Sequence, residues 1–214
     1  MKPFTQTTGV AVPFLDDDVN TDQIAPVQAK RALKPDYREL FFYRTRRSAD
    51  DALDAGNILN QARFQRPAIF VAGRNFGCGS SREAAVWTMQ AAGVQCLIAR
   101  SIADLYRENC LQNGLLPIEL SDDAMDRLVP QVIAADGASP FTVDLRSCEI
   151  TGPGGYRLSF EIPAADRIRL LEGLDDIGMS LKHLDAIADW EKQARERHAW
   201  LQKAVREPNS EPVR

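Results

Sequence analysis

The sequence has little with which to bind a metal or cross-link itself. Its 214 residues include four cysteines and two histidines. The cysteines, at positions 78, 96, 110 and 148, lie too far apart for the C-x-x-C pairing of zinc and redox sites, and their irregular spacing is no disulfide framework. This usage implies a reducing cytoplasm, with Cys96 and Cys148 read as small hydrophobes inside apolar runs. His183 and His198 both fall in a polar, helix-like C-terminal stretch, so the chain alone is a poor host for zinc or an iron–sulfur cluster. Positive charge is not in excess either. The 26 Lys and Arg residues against 30 Asp and Glu leave a net charge of -4, which sets nucleic acid aside as a partner. Nor is there a long apolar run. The longest uncharged apolar stretch, around residues 67–73, falls far short of the ~20 residues that cross a bilayer, and Met1-Lys2-Pro3-Phe4-Thr5-Gln6 has no apolar signal core.

What is present is a globular composition, 44% hydrophobic and 26% charged, in a chain long enough to bury ~70% of its extended surface. Short apolar runs at 9–13, 68–72, 96–99 and 117–120 predict strands. Between them, residues 81–92 and 101–113 predict helices, each led by a serine, Ser81 or Ser101, and closed by Gly93 or Gly114. That order is the grammar of βαβ units. Further on, 141–145, 147–150 and 156–161 alternate apolar and polar residues around Gly152-Pro153-Gly154-Gly155, which predicts antiparallel strands. Leu181, Leu184, Ile187, Ala188, Ala194, Leu201 and Val205 predict one long amphipathic helix over 180–206, with Glu191 and Arg195 a turn apart. The expected organisation is a single domain over 1–206 and a frayed tail at 207–214. Residues 27–51 carry Lys30, Arg31, Lys34, Arg38, Arg44, Arg46 and Arg47 with few periodic apolars. They predict a long basic mobile loop, either a solvated excursion or a lid that meets an anionic ligand.

Chemistry concentrates in residues 73–83, Gly-Arg-Asn-Phe-Gly-Cys-Gly-Ser-Ser-Arg-Glu, between a predicted strand and a predicted helix. A glycine-rich turn there aims backbone amides and the helix dipole at an anion. It is no nucleotide motif: Arg82 stands where a dinucleotide fingerprint needs its third glycine, and Gly-Lys-Ser/Thr is absent. Ser80 and Glu83 form S-x-x-E, so one reading of Ser80 is a capping box. The other reading joins Ser80 to Ser81 and Arg82. A guanidinium fork pairs with a carboxylate, and the electropositive helix start favours a serine oxygen acting as base toward an acidified C–H. A hydrolase triad lacks its neighbouring histidine, and G-x-S-x-G is missing.

Residues 73–83, taken with Asn20-Thr21-Asp22-Gln23-Ile24 and Gln112-Asn113-Gly114-Leu115-Leu116-Pro117-Ile118, closely resemble the small subunit of 3-isopropylmalate dehydratase, the swivelling domain of the aconitase superfamily. The resemblance runs from about residue 8 to 190 and includes Gly173-Leu174-Asp175-Asp176-Ile177-Gly178 and His183-Leu184-Asp185-Ala186-Ile187. It implies an α/β fold, a three-layer β/β/α swivelling domain with a mixed sheet. It also implies that Ser80 is the base that takes a proton from carbon, that Ser81 and Arg82 hold the substrate carboxylate, and that Asp22 orders the site's hydrogen bonds. The implied reaction isomerises 2-isopropylmalate and 3-isopropylmalate by dehydration and rehydration in leucine biosynthesis. No cofactor is expected on this chain: the [4Fe-4S] cluster belongs to a partner large subunit, and the substrate is a small dicarboxylate. Where the family usually reads S-S-R-E-H-A-P-W and I-I-P-K, this chain has Ala84, Val86 and Val27. Those departures point either to a different alkylmalate or to drift around an unchanged site. A paralogous hydratase and a non-catalytic anion-binding module are the rival readings.

Overall fold

A computed structural model describes residues 1–26, 36–198 and 200, which group into two compact units, Met1–Leu174 and Asp175–Arg214. In the first, four strands pair in parallel in the order β2-β3-β4-β5: β2 (Ala11–Phe14), β3 (Ile69–Ala72), β4 (Cys96–Ala99) and β5 (Leu116–Glu119). Pro13 and Pro117 sit in the two edge strands of this sheet, where a missing N–H costs no interior ladder bond. A second, antiparallel sheet has the order β1-β6-β7-β8, from β1 (Gln6–Gly9), β6 (Phe141–Asp144), β7 (Glu149–Thr151) and β8 (Arg157–Ser159). The glycine-rich 152–155 segment turns between β7 and β8, with Gly154 and Gly155 at positive φ. Two single-turn helices, α1 (Thr21–Ile24) and α2 (Tyr37–Leu40), precede α3 (Glu83–Ala92), α4 (Asp104–Asn113), α5 (Asp122–Ala135) and α6 (Ala164–Glu172).

The period of two along the parallel strands decides the layering. Val12, Phe14, Phe70, Ala72, Leu97 and Ala99 face one way, into a core closed by Ala85, Val86 and Met89 of α3 and by Tyr106 and Cys110 of α4. Their neighbours Ala11, Ile69, Val71, Cys96 and Ile98 face the other way, toward Met125, Leu128 and Val132 of α5 and Phe141, Val143, Ile150 and Leu158 of the antiparallel sheet. The result is three layers, β/β/α, with the parallel sheet in the middle, as the resemblance implied.

Several elements differ from the reading of the sequence. The helix expected from Ser81 begins at Glu83, and the one expected from Ser101 begins at Asp104. Ser101 instead accepts a hydrogen bond on Oγ from the Asn75 amide at 2.8 Å. Helix α5 and strand β1 are additions to the elements expected from the apolar pattern. Of the loop expected over 27–51, residues 27–35 lie outside the described residues, while 36–51 are not structureless: Asp36 caps α2, and Phe41 and Phe42 are buried. The second unit holds α7 (Asp176–Leu181) and α8 (Leu184–Arg197). The single helix expected over 180–206 is therefore broken at Lys182 and His183, where the His183 amide bonds back to the Ser180 carbonyl at 2.9 Å and tightens the turn out of helical register. Residues 201–206 of that expectation lie outside the described residues.

Candidate active site

Strand β3 ends at Ala72 and α3 begins at Glu83, so ten residues must cross from the middle layer to the helical one at the C-terminal edge of the parallel sheet. Crevices at that edge are where open α/β sheets bind ligands. Gly77 makes the crossing possible. Its φ is +80°, and a Cβ there would overlap the Tyr106 ring of α4, so only glycine lets the turn lie flat on that helix.

The turn is zipped to the segment that follows β2. The Gly77 amide donates to the Val19 carbonyl at 2.7 Å, and the Thr21 amide donates to the Cys78 carbonyl at 3.0 Å. The Ser80 amide donates to Thr21 Oγ1 at 3.2 Å, and Asn75 Nδ2 donates to Asp18 Oδ1 at 2.7 Å. Helix α1 is held by a reciprocal capping box, in which the Gln23 amide donates to Asn20 Oδ1 at 2.9 Å and the Asn20 amide to Gln23 Oε1 at 2.8 Å. These bonds bring Asp22, 60 positions away in sequence, to Arg82: Nη2 lies 2.7 Å from Asp22 Oδ1.

All four residues singled out from the sequence thus meet at one place. Ser80 and Ser81 are exposed, and the Ser80 hydroxyl makes no hydrogen bond among the described residues. The capping reading of Ser80 fails, because Arg82 occupies the N-cap of α3 and no side chain bonds the helix start. Among the described residues the Glu83 and Ala84 amides at the start of α3 make no hydrogen bond, whereas the Ala85 amide donates to the Arg82 carbonyl at 3.3 Å, and the roughly +0.5 charge of the helix dipole lies behind them. Arg82 is held on one edge by Asp22, while its Nε is buried without a hydrogen-bond partner among the described residues. Two supporting residues go beyond what the sequence pattern suggests. Thr21 is 1% exposed and receives the Ser80 amide; a threonine beside Asp22 is its only signal. Asn109 of α4 donates Nδ2 to the Ser81 carbonyl at 3.1 Å, and nothing in its helical surroundings announces that. Ala84 is half-buried and Val86 is buried in α3, while Val27 lies outside the described residues.

The donors present do not suit an iron–sulfur cluster. Among the described residues no three Cys, His, Asp or Glu side chains are grouped to hold a metal ion. Cys96 and Cys110 are fully buried, and burial pushes both thiols well above their ordinary range, away from the thiolate that iron requires.

The chain with this β/β/α frame is of the aconitase type, for residues 1–123 match the Aconitase C-terminal domain family. Residues 176–204 match the family described as the C-terminal domain of the 3-isopropylmalate dehydratase small subunit. The 3-isopropylmalate dehydratase small subunit of Rhizobium rhizogenes is 39% identical over 201 residues, covering 94% of this chain and 99% of its own. That of Shewanella oneidensis is 40% identical over 196 residues, covering 90% and 97%. The crystal structure of 3-isopropylmalate dehydratase from Methanocaldococcus jannaschii superposes with a TM-score of 0.60 at 26% identity, covering 87% of this chain and 99% of that one. The chain belongs to the 3-isopropylmalate dehydratase small-subunit family.

Proposed function

We propose that the protein is the small subunit of a hydro-lyase that interconverts 2-isopropylmalate and 3-isopropylmalate, in the cytoplasm, as a step of leucine biosynthesis. It works with a large subunit that would hold the [4Fe-4S] cluster, a group that when bound would supply Lewis-acid activation of the leaving hydroxyl. The observation that carries the reading is the open start of α3, where an unbonded serine, a second serine and an arginine braced by aspartate share one exposed turn.

This chain's own part follows from those atoms. Arg82 receives a substrate carboxylate, whose oxygens can satisfy the buried Nε that now lacks a partner. Asp22 holds the guanidinium in place before substrate arrives, so little side-chain freedom is lost on binding. Ser80 Oγ, ionised, takes the proton from the carbon beside that carboxylate and returns to the neutral hydroxyl. The negative charge developing on the carboxylate is met by Arg82 and by the Ser81 hydroxyl. A free serine is a very weak base; the arginine and the uncommitted amides of α3 lower the energy of its alkoxide. The open position of the site suits one half of a cleft whose other half lies on the partner. Neither rival has support in the relatives, which carry the isopropylmalate dehydratase name.

Mixing the purified chain with an anaerobically prepared large subunit tests the reading. Dehydration of 3-isopropylmalate should appear only in the mixture. Turnover by the isolated chain, or a stoichiometric brown cluster bound to it, would overturn it.

A further inference from the structure

A cleft of about 250 Å³ opens where α2 and the segment after it meet the C-terminal end of α3. Its floor is apolar, made by Phe41, Leu53, Leu59 and Ala92, and two arginines, Arg38 and Arg46, line it. Ala92 closes the ten-residue helix that Ser80 and Arg82 precede, so the cleft lies about 15 Å from the reactive turn.

The arginines are unusual in what they lack. Neighbouring Arg47 pairs with Asp51 at 3.2 Å and lies over the Tyr43 ring at 4.0 Å, although its Nη1 is also buried with no hydrogen bond among the described residues. Arg46 and Arg38 have no carboxylate partner among the described residues, and Arg46 Nε is buried with no hydrogen bond. Burial first, then the positive charges of Arg47 and Arg38, lowers the Arg46 pKa, which is the signature of a cation short of counter-charge. The backbone here is not free to rearrange. The Arg46 carbonyl accepts from Asn60 Nδ2 at 2.7 Å and from the Asp54 amide at 3.0 Å.

We propose that this cleft is a second binding site, for a small monocarboxylate with a branched aliphatic body. The carboxylate pairs with Arg46 and Arg38, and the hydrocarbon covers Phe41, Leu53, Leu59 and Ala92. The volume is below the roughly 300–1,000 Å³ of pockets for drug-sized ligands, which selects a smaller molecule. Asp36 and Glu39 also line the cleft, and a second carboxylate on the ligand would meet them at a like-charge cost. That separates this site from the dicarboxylate site at Arg82, and the proposal does not depend on the reaction proposed above.

Calorimetric titration of the full chain with 4-methylpentanoate tests it, with 4-methylpentanamide and 3-isopropylmalate as comparisons. The acid should bind and the uncharged amide should not. Arg46→Gln and Arg38→Gln should each weaken binding about tenfold or more, and Arg82→Gln should leave it unchanged. Arg38 is exposed on α2, so its variant keeps the test decisive if Arg46→Gln unfolds. Absence of binding, equal binding of the amide, equal binding of the dicarboxylate to the Arg82→Gln variant, or loss of acid binding through Arg82→Gln while the Arg38 and Arg46 variants bind normally would overturn the proposal.

Discussion

A hydroxyl that makes no hydrogen bond can be removed at little structural cost, and among the described residues Ser80 is such a group. Ser80→Ala should leave the melting temperature within the scatter of ordinary surface substitutions, about 0.5 kcal/mol, while lowering kcat of the reconstituted enzyme ~10²-fold or more. Thermal melting and steady-state rates on the same preparation decide it. A variant that melts early and turns over normally would return Ser80 to a purely structural role. Arg82 and Asp22 should fail differently. Arg82→Lys keeps the charge but loses the fork, and Asp22→Asn keeps the shape but releases the brace at 2.7 Å. Both should raise KM several-fold, Arg82→Lys the more, since one removes the carboxylate's partner and the other only what positions it. A change confined to kcat in both variants would show that neither residue handles the carboxylate.

Between strand and helix, the turn depends on one position without a side chain. Gly77→Ala forces a methyl group into the Tyr106 ring at a φ of +80°, two faults that together should cost about 2 kcal/mol or more in urea unfolding. Because the same turn presents Ser80, activity should fall further than the loss of folded protein explains. This scale also marks what is legible in the sequence. The parallel strands and α3 and α4 stand out as apolar runs closed by Gly93 and Gly114, both at positive φ at the ends of their helices. Helix starts are harder to place because a serine before an apolar stripe reads as a cap, whereas Ser101 serves the Asn75 amide and the Ser80 hydroxyl serves no amide among the described residues. Helix α5 is hidden by Pro130 inside it, although Ser121 and the acids Asp122 and Asp123 form a normal N-terminal signal. The candidate site is legible from Ser80-Ser81-Arg82 as a cluster. The Asp22–Arg82 contact is not, since tertiary hydrogen bonds at Asp18, Val19 and Thr21 bring the two segments together.

Over the whole molecule, the cysteines divide by depth. Cys96 of β4 and Cys110 of α4 are fully buried, in the cores on opposite faces of the parallel sheet, with thiols kept protonated by burial, whereas Cys78 and Cys148 are only half-buried. At neutral pH iodoacetamide should label at most two thiols in the native chain and all four in denaturant, counted by mass spectrometry. Raising the pH to the ordinary thiol value of 9.0 should still leave Cys96 and Cys110 unreactive, because burial shifts their folded pKa up and their thiolates remain scarce there. Rapid native labelling of Cys96 or Cys110 would mean that the layers open readily.

The first two strands have a further consequence, for the order in which the chain can fold as it is made. Only Val10 separates β1 from β2, yet the two belong to different sheets. Strand β2 finds β3 and then gains β4 and β5 in the order of synthesis, so the parallel sheet can grow outward as each strand leaves the ribosome. Strand β1 cannot follow. Its partner register, Gln6 with Asp144 and Gly9 with Phe141, does not exist until residue 144 has emerged, and at roughly 5–20 residues per second that leaves an unpaired strand waiting for several seconds. Throughout that interval the newborn chain carries a bare sheet edge at its N-terminus, the place where a chaperone or another nascent copy would meet it first.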